Sequence, residues 1–325
     1  MLSKLLNTNQ PSVLFMLPFF TAFLWIPFFL FPVEPDSHIV TSYVVIFKTD
    51  LLMTGITGTI LAFCLTTINA MFLNRIINNS ELCNKPSFIY AFIFVLLESI
   101  LRTNCGFYTW QLSQFFLLAS LCPLLAIYNQ RNVIHLGSEA GLLIAIATIF
   151  YQPSVLFVLI ILVFIQVFRP FNWREWLFPF LGFCLIILFL ATYHYLKKEP
   201  FFVYFLFEKF NYTAFYNSTK FSIFLLGLLI LLGIGTYLQS ARRTIMHARK
   251  QRLVILFMFL STTVGLGLLN YFELTYANFY LVLFIAPLFV GYYFADCKLK
   301  WLGELILIGS IIFQLSIRYL SAHYF

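Results

Sequence analysis

Glu34, Asp36 and His38 stand at alternate positions where the first apolar run of the chain ends. On an extended loop alternate side chains reach the same side, so two carboxylates and an imidazole can meet one ligand. Such a set can hold a divalent cation or supply a general base. Beside Pro32 and Pro35 the stretch also reads as an ordinary solvated loop, the commoner use of three polar residues there. Glu98 and Arg102 lie four apart near the end of a later apolar run, share a helix face and can neutralise one another. Ionisable groups at membrane depth call for a functional hypothesis. For Arg102 it is a phosphate contact, because a guanidinium fork matches phosphate oxygens. The structural alternative is a snorkelling interfacial pair. Glu139, after Ser138, is expected in a first helical turn, where the helix dipole favours a carboxylate.

The most distinctive polar stretch is FRPFNWREW, residues 168–176. Pro170 bends the chain. Asn172 can cap a helix that starts near Trp173, with Glu175 at its third position. Trp173 and Trp176 suit the membrane interface, and Arg169 and Arg174 suit lipid headgroups. The set Arg169, Asn172, Trp173, Arg174 and Glu175 is therefore a contact site for headgroups or a partner, or else a structural hinge. A second basic stretch, Arg242, Arg243, Arg249, Lys250 and Arg252, contacts anionic lipid by the same logic.

The elements that must position these residues are legible from composition. The chain has 325 residues, 62% of them hydrophobic and only 10% charged. A soluble domain carries about 25% charge. This chain needs lipid as its solvent, where each spanning segment must satisfy its own backbone hydrogen bonds. The apolar runs are continuous rather than alternating, so the expected class is all-α, a polytopic helical bundle and not a barrel. At about 20 residues per span, eleven segments emerge: 12–33, 51–73, 86–101, 109–127, 133–150, 153–168, 176–196, 220–238, 252–270, 276–295 and 301–320. The first is too long for the apolar core of a cleaved leader and is read as a span. Segments 86–101, 133–150 and 153–168 are short. The last two are split by Tyr151-Gln152-Pro153, and proline disfavours a helical residue before it, so a tight helical hairpin is expected.

Placing the basic stretch in the cytoplasm orients the chain. Alternation then puts thirteen of the twenty Lys and Arg residues inside and seven outside, with the acids divided so that the outer face is near neutral. The N-terminus is then inside and the C-terminus outside. The outer loop 197–219 is rich in aromatics, with Glu208 and Lys209 spaced as in a helix lying on the membrane surface. Residues 1–325 read as one transmembrane domain.

Several chemistries are excluded. The six cysteines include no CxxC pair, and most lie in apolar runs, where cysteine acts as a small hydrophobe. The five histidines are dispersed over both sides, so a four-histidine iron site does not form. No glycine-rich phosphate loop, GxSxG elbow or HExxH is present. The net charge of +8 is accounted for by cytoplasmic loops, so nucleic acid is not an expected partner. No metal or cofactor is specified. There is no pair of midplane acids and no inverted repeat of the kind expected of an ion-coupled transporter.

From Gly141 through Tyr151-Gln152-Pro153 to FRPFNWREW the chain resembles a family of uncharacterised polytopic inner-membrane proteins of Bacteroidota, over roughly residues 85–176. That family implies no reaction and supplies no catalytic residues. In architecture the chain is also similar to C-type glycosyltransferases, which use polyprenyl-phosphate sugars. They combine an acidic first outer loop, short paired middle helices and an amphipathic outer segment. Here Glu34 and Asp36 occupy the matching loop, and 133–168 matches the pair. A large outer domain is missing. This resemblance implies a transferase acting on a lipid-linked substrate at the outer face, with Asp36 or Glu34 as base or metal ligand and Arg102 as phosphate contact. Two other readings stay open: a non-catalytic subunit of a cell-envelope complex, and a small-molecule transporter.

Overall fold

A computed structural model describes residues 11–30, 55–80, 82, 86–102, 107–127, 133–168, 172–198, 217–241, 246–272, 279–296 and 300–324. Among these every regular element is helical. Five helices are long and apolar enough to cross a membrane: α1 (Pro11–Leu30), α2 (Gly55–Asn79), α4 (Thr109–Ala126), α7 (Trp173–Lys197) and α8 (Asn217–Ala241). The shorter ones are α3 (Ile89–Leu101), α5 (Ile134–Phe150), α6 (Leu156–Phe168), α10 (Tyr280–Leu283) and α11 (Ala286–Asp296). Two long helices, α9 (Met246–Phe272) and α12 (Lys300–Tyr324), complete the set. The molecule is an all-α bundle of the kind expected of a membrane protein.

The bundle is built around α3. All thirteen of its residues are buried, and it packs against α1, α2, α8, α10, α11 and α12. A helix that is apolar on every side belongs inside protein. This accounts for its shortness: at about 20 Å it is too short to cross a bilayer, but protein surrounds it. Around it, α1 shows how apolar spans divide between protein and lipid. Val13, Leu17, Thr21, Leu24, Trp25 and Phe28 form one stripe turned inward, while Phe15, Phe19, Phe23 and Ile26 are exposed. The hydroxyl of Thr21 donates to the Leu17 carbonyl, 2.9 Å away, so its burial leaves no orphan donor.

Lipid is as apolar as leucine, so helices in a membrane are held by close packing and interhelical hydrogen bonds. The tightest seam joins α5 to α7. Gly137 and Gly141, one helical turn apart on α5, face Pro179 of α7, and Gly182 of α7 faces Ser138. A Cβ on Gly141 would strike the Pro179 carbonyl, and one on Gly182 would strike that of Ser138. This is the small-xxx-small arrangement that lets backbones approach. Elsewhere α7 is peripheral, with only 11% of its span buried.

Two expected boundaries shift for physical reasons. The segment 276–295 breaks at Phe284–Ile285, between α10 and α11. Pro287 has no N–H to return to Leu283, and the backbone there makes i→i−3 bonds instead, Ile285 to Val282 and Leu288 to Ile285. At Tyr151 the chain does turn: its backbone is extended, and a 3-10 turn over Gln152–Val155 follows. Past the turn, however, α6 packs more on α9 than back along α5.

Candidate functional site

Arg102 lies at the end of α3, where the backbone leaves the helix (φ −68°, ψ 126°) with its N–H still donating to the Glu98 carbonyl. Its side chain is fully buried. The guanidinium carbon sits 4.1 Å from the centre of the Trp25 ring, 5.5 Å from that of Tyr108 and 5.7 Å from that of Phe28. A desolvated cation over an indole face is an attractive arrangement, worth about 2 kcal/mol. Trp25 is held in turn by its indole N–H, which donates to Ser99 Oγ at 3.1 Å. Tyr108 continues a column of rings: it stacks on Trp110, which stacks on Tyr280 with centroids 3.5 Å apart. The Tyr280 hydroxyl donates to the Leu101 carbonyl at 2.8 Å, pinning α10 to the end of α3.

Glu98 is equally buried. Its carboxylate is met by an amide: Gln111 Nε2 of α4 donates to Oε1 at 3.4 Å and to Thr66 Oγ1 of α2 at 3.1 Å. The Arg102 charge acts on Glu98 through space, and Gln114 faces the same carboxylate. Asn69 of α2 donates to the Gln111 carbonyl at 3.1 Å. The expected i,i+4 pair is wholly buried, with Arg102 against the rings of α1 and Glu98 against an amide of α4. A snorkelling interfacial pair does not describe it. Asn69 and Thr66, and Gln111 and Gln114, are each three apart, so each pair lies on one helix face. That spacing of amides inside otherwise apolar spans was the available sequence signal, and Trp25, Tyr108 and Tyr280 carried none.

At the other distinctive stretch, Asn172 caps α7 as expected: its side-chain oxygen accepts from the Arg174 N–H at 3.3 Å, and Glu175 falls in the first turn. Trp173 is 61% exposed, with the Arg174 guanidinium 5.6 Å from its ring centre. Three of the five proposed contact residues, Asn172, Trp173 and Arg174, therefore present themselves at the surface. Glu175 is half-buried. The basic stretch splits in use. Arg249 and Lys250 are exposed, but Arg252 is buried. It donates to Ser240 Oγ at 3.1 Å and lies 5.1 Å from the Tyr292 ring centre, while Tyr237 donates to its carbonyl. Arg252 ties α8, α9 and α11 together instead of reaching lipid. Glu139 is exposed and stands beyond the first turn of α5, one turn deeper than expected.

Glu34, Asp36, His38 and Arg169 lie outside the described residues.

No family model matches the chain, and no curated protein is similar to it in sequence. In three dimensions it is similar to an oligosaccharyltransferase of Archaeoglobus fulgidus, solved with a tethered acceptor peptide containing the NVT sequon. The match has a TM-score of 0.51 at 12% identity and covers 98% of this chain and 52% of the other. At that identity the likeness is one of fold, and the chain spans about half the length of this neighbour.

Proposed function

We infer that the chain is a multi-pass protein of the bacterial inner membrane, with about eleven spans, its N-terminus inside and its C-terminus outside. We read it as a glycosyltransferase-like protein acting on a polyprenyl-phosphate-linked substrate at the outer face. The observation that carries this reading is the fold-level likeness to an oligosaccharyltransferase along nearly the whole chain. The inner-membrane location rests on charge distribution and on the resemblance of residues 85–176 to the Bacteroidota family. Fold alone does not fix function, so the residues must support it. Asp36 or Glu34 is assigned the role of base or metal ligand, and Arg102 that of phosphate contact. For Arg102 this has a structural consequence. Its guanidinium is roofed by Trp25 and Tyr108, so phosphate binding requires that aromatic cover to open.

The test is binding of a short-chain polyprenyl phosphate to the full protein in nanodiscs, read as quenching of tryptophan fluorescence. Wild type is expected to bind and to show the change in tryptophan environment that opening demands. Arg102→Ala is expected to lose at least tenfold in affinity, with Trp25→Phe retaining binding but losing most of the signal. Equal affinity in wild type and Arg102→Ala would remove Arg102 from the site.

A second reading, a non-catalytic subunit of a cell-envelope complex, is favoured by the exposed start of α7. Trp173 and Arg174 stand clear of the bundle there, on a helix most of whose apolar length is uncovered. Under that reading Arg174→Ala abolishes function while Arg102→Ala does not.

A further inference from the structure

The two interruptions of the bundle meet at the one-turn helix α10. After α10 the chain breaks at Phe284–Ile285, where Ile285 donates to the Val282 carbonyl and Leu288 to that of Ile285. Such i→i+3 stretches inside a helical run mark hinges, because their hydrogen bonds are poorly aligned. The other interruption is Tyr151 with the 3-10 turn Gln152–Val155. Both border one small apolar cavity of about 10 Å³, Tyr151 on one part of its wall and Tyr280, Leu281 and Phe284 on another. A second apolar cavity, of about 20 Å³, is walled by Phe284, Ile285 and Leu288 with Leu121 of α4 and Met258 of α9. Packed interiors leave few voids as large as a water molecule. Here two of them share the Phe284 ring, on a helix that is already broken, so that ring has room to move.

Phe284 is mechanically connected at both ends. Phe157 of α6 meets its ring edge-on, with centroids 5.1 Å apart. Tyr280 lies four residues earlier, on the same helix face. Its hydroxyl holds the carbonyl of Leu101, the residue before Arg102. Its ring stacks on Trp110, and Trp110 stacks on Tyr108, whose ring borders the Arg102 guanidinium. A run of packed rings thus joins the break in α10–α11 to the cover of Arg102.

We propose that α10 is a lever, and that its swing about the Phe284–Ile285 break opens the aromatic cover of Arg102. The inference rests on the reading of Arg102 as a phosphate contact and supplies the opening which that reading requires. The other elements around Arg102 are less free. α3 is buried along its whole length, and Trp25 of α1 is latched to Ser99. The two cavities each hold about one water molecule, so the swing is small. A small swing is enough, because the Tyr280 bond of 2.8 Å to Leu101 is lost once it stretches past about 3.5 Å.

The test follows the cover itself, in full-length protein in nanodiscs. On a cysteine-free background Phe28→Cys places a thiol among the buried rings beside the guanidinium. Its labelling by a small methanethiosulfonate reagent reports how often the cover is open. Tyr280→Phe keeps the ring but frees α10 from the Leu101 carbonyl, and is expected to speed labelling about tenfold, the effect of losing one buried hydrogen bond. Pro287→Ala restores an N–H that can reach the Leu283 carbonyl and splice α10 to α11, and is expected to slow labelling several-fold. A cysteine at exposed Lys198 should label at one rate in every form. Binding of a short-chain polyprenyl phosphate to the same variants separates the lever from the phosphate reading. Labelling that responds as stated, with no lipid phosphate bound by any form, would remove the phosphate role and leave the lever standing. Arg102-dependent binding with labelling indifferent to both variants would overturn the lever and leave the reading in place. Faster labelling in Pro287→Ala than in wild type would overturn it too. Should one variant fail to fold, the other decides.

Discussion

Replacing Gly141 by alanine adds one methyl group at the place where α5 and α7 come closest. The new Cβ would lie 2.9 Å from the Pro179 carbonyl carbon and 3.1 Å from its Cα, and nearer still to the oxygen. Ordinary contact begins near 3.4 Å, so the helices must part by about half an ångström on the carbon and further on the oxygen. The obstacle is backbone on a proline-bearing helix and has no rotamer to change. A gap of 0.5–1 Å forfeits about a quarter to a half of each dispersion contact it opens. Because the Gly137, Gly141 and Gly182 contacts share one seam, the expected loss is about 1–3 kcal/mol, the usual range for overpacking. Gly182→Ala meets the Ser138 carbonyl in the same way and should cost a similar amount. Gly227→Ala and Gly235→Ala are the controls, since a Cβ at either position meets nothing within 4 Å. The assay is thermal unfolding of detergent-solubilised protein, with a cysteine pair placed across the seam to report helix separation by crosslinking. If Gly141→Ala unfolded at the same temperature as Gly227→Ala, with crosslinking unchanged, the close α5–α7 approach would be refuted.

Other outcomes follow from the same geometry. Tyr237→Phe removes the donor to the Arg252 carbonyl and should destabilise by about 1–3 kcal/mol, read as a fall in Tm. Arg252→Gln should loosen α8 from α9 and lower Tm more than Lys250→Gln, because Lys250 is exposed. Lys198 caps α7 at φ 57°, a left-handed conformation that favours glycine, so Lys198→Gly should raise stability by about 1 kcal/mol. A cysteine at Lys250 should react with a membrane-impermeant maleimide only in inverted vesicles, and one at Lys198 only in intact spheroplasts. The reverse pattern would invert the orientation read from charge.

The sequence carries the helices well because span length and charge act locally. Runs of about 20 apolar residues became α1, α4 and α8, proline broke the chain beside Tyr151, and Asn172 capped α7 where its spacing said it should. What it carries poorly depends on partners. Segment 86–101 looked like a short span, but α3 is a buried hub, a status set by the helices around it. Arg252 looked like part of a cationic loop, yet Ser240 and Tyr292 draw it inward. Gly137 and Gly141 read as two small residues until Pro179 is seen against them. In the candidate site, Glu98 and Arg102 were visible as an intramembrane pair. Their burial was not, because it depends on Trp25 from one helix and Gln111 from another. The acids Glu34 and Asp36 remain expectations from sequence.

The outer-face transferase reading is tested most directly by replacing its three residues one at a time in cells. Asp36→Asn, Glu34→Gln and Arg102→Ala would each be compared with a deletion strain for growth and for accumulated polyprenyl-linked lipids, at matched levels of protein in the membrane. The account predicts that Arg102→Ala and at least one acidic variant reproduce the deletion and accumulate a lipid-linked precursor. Wild-type growth and lipid profile in all three, with loss of function on Arg174→Ala instead, would contradict catalysis and leave the docking subunit as the function of this fold.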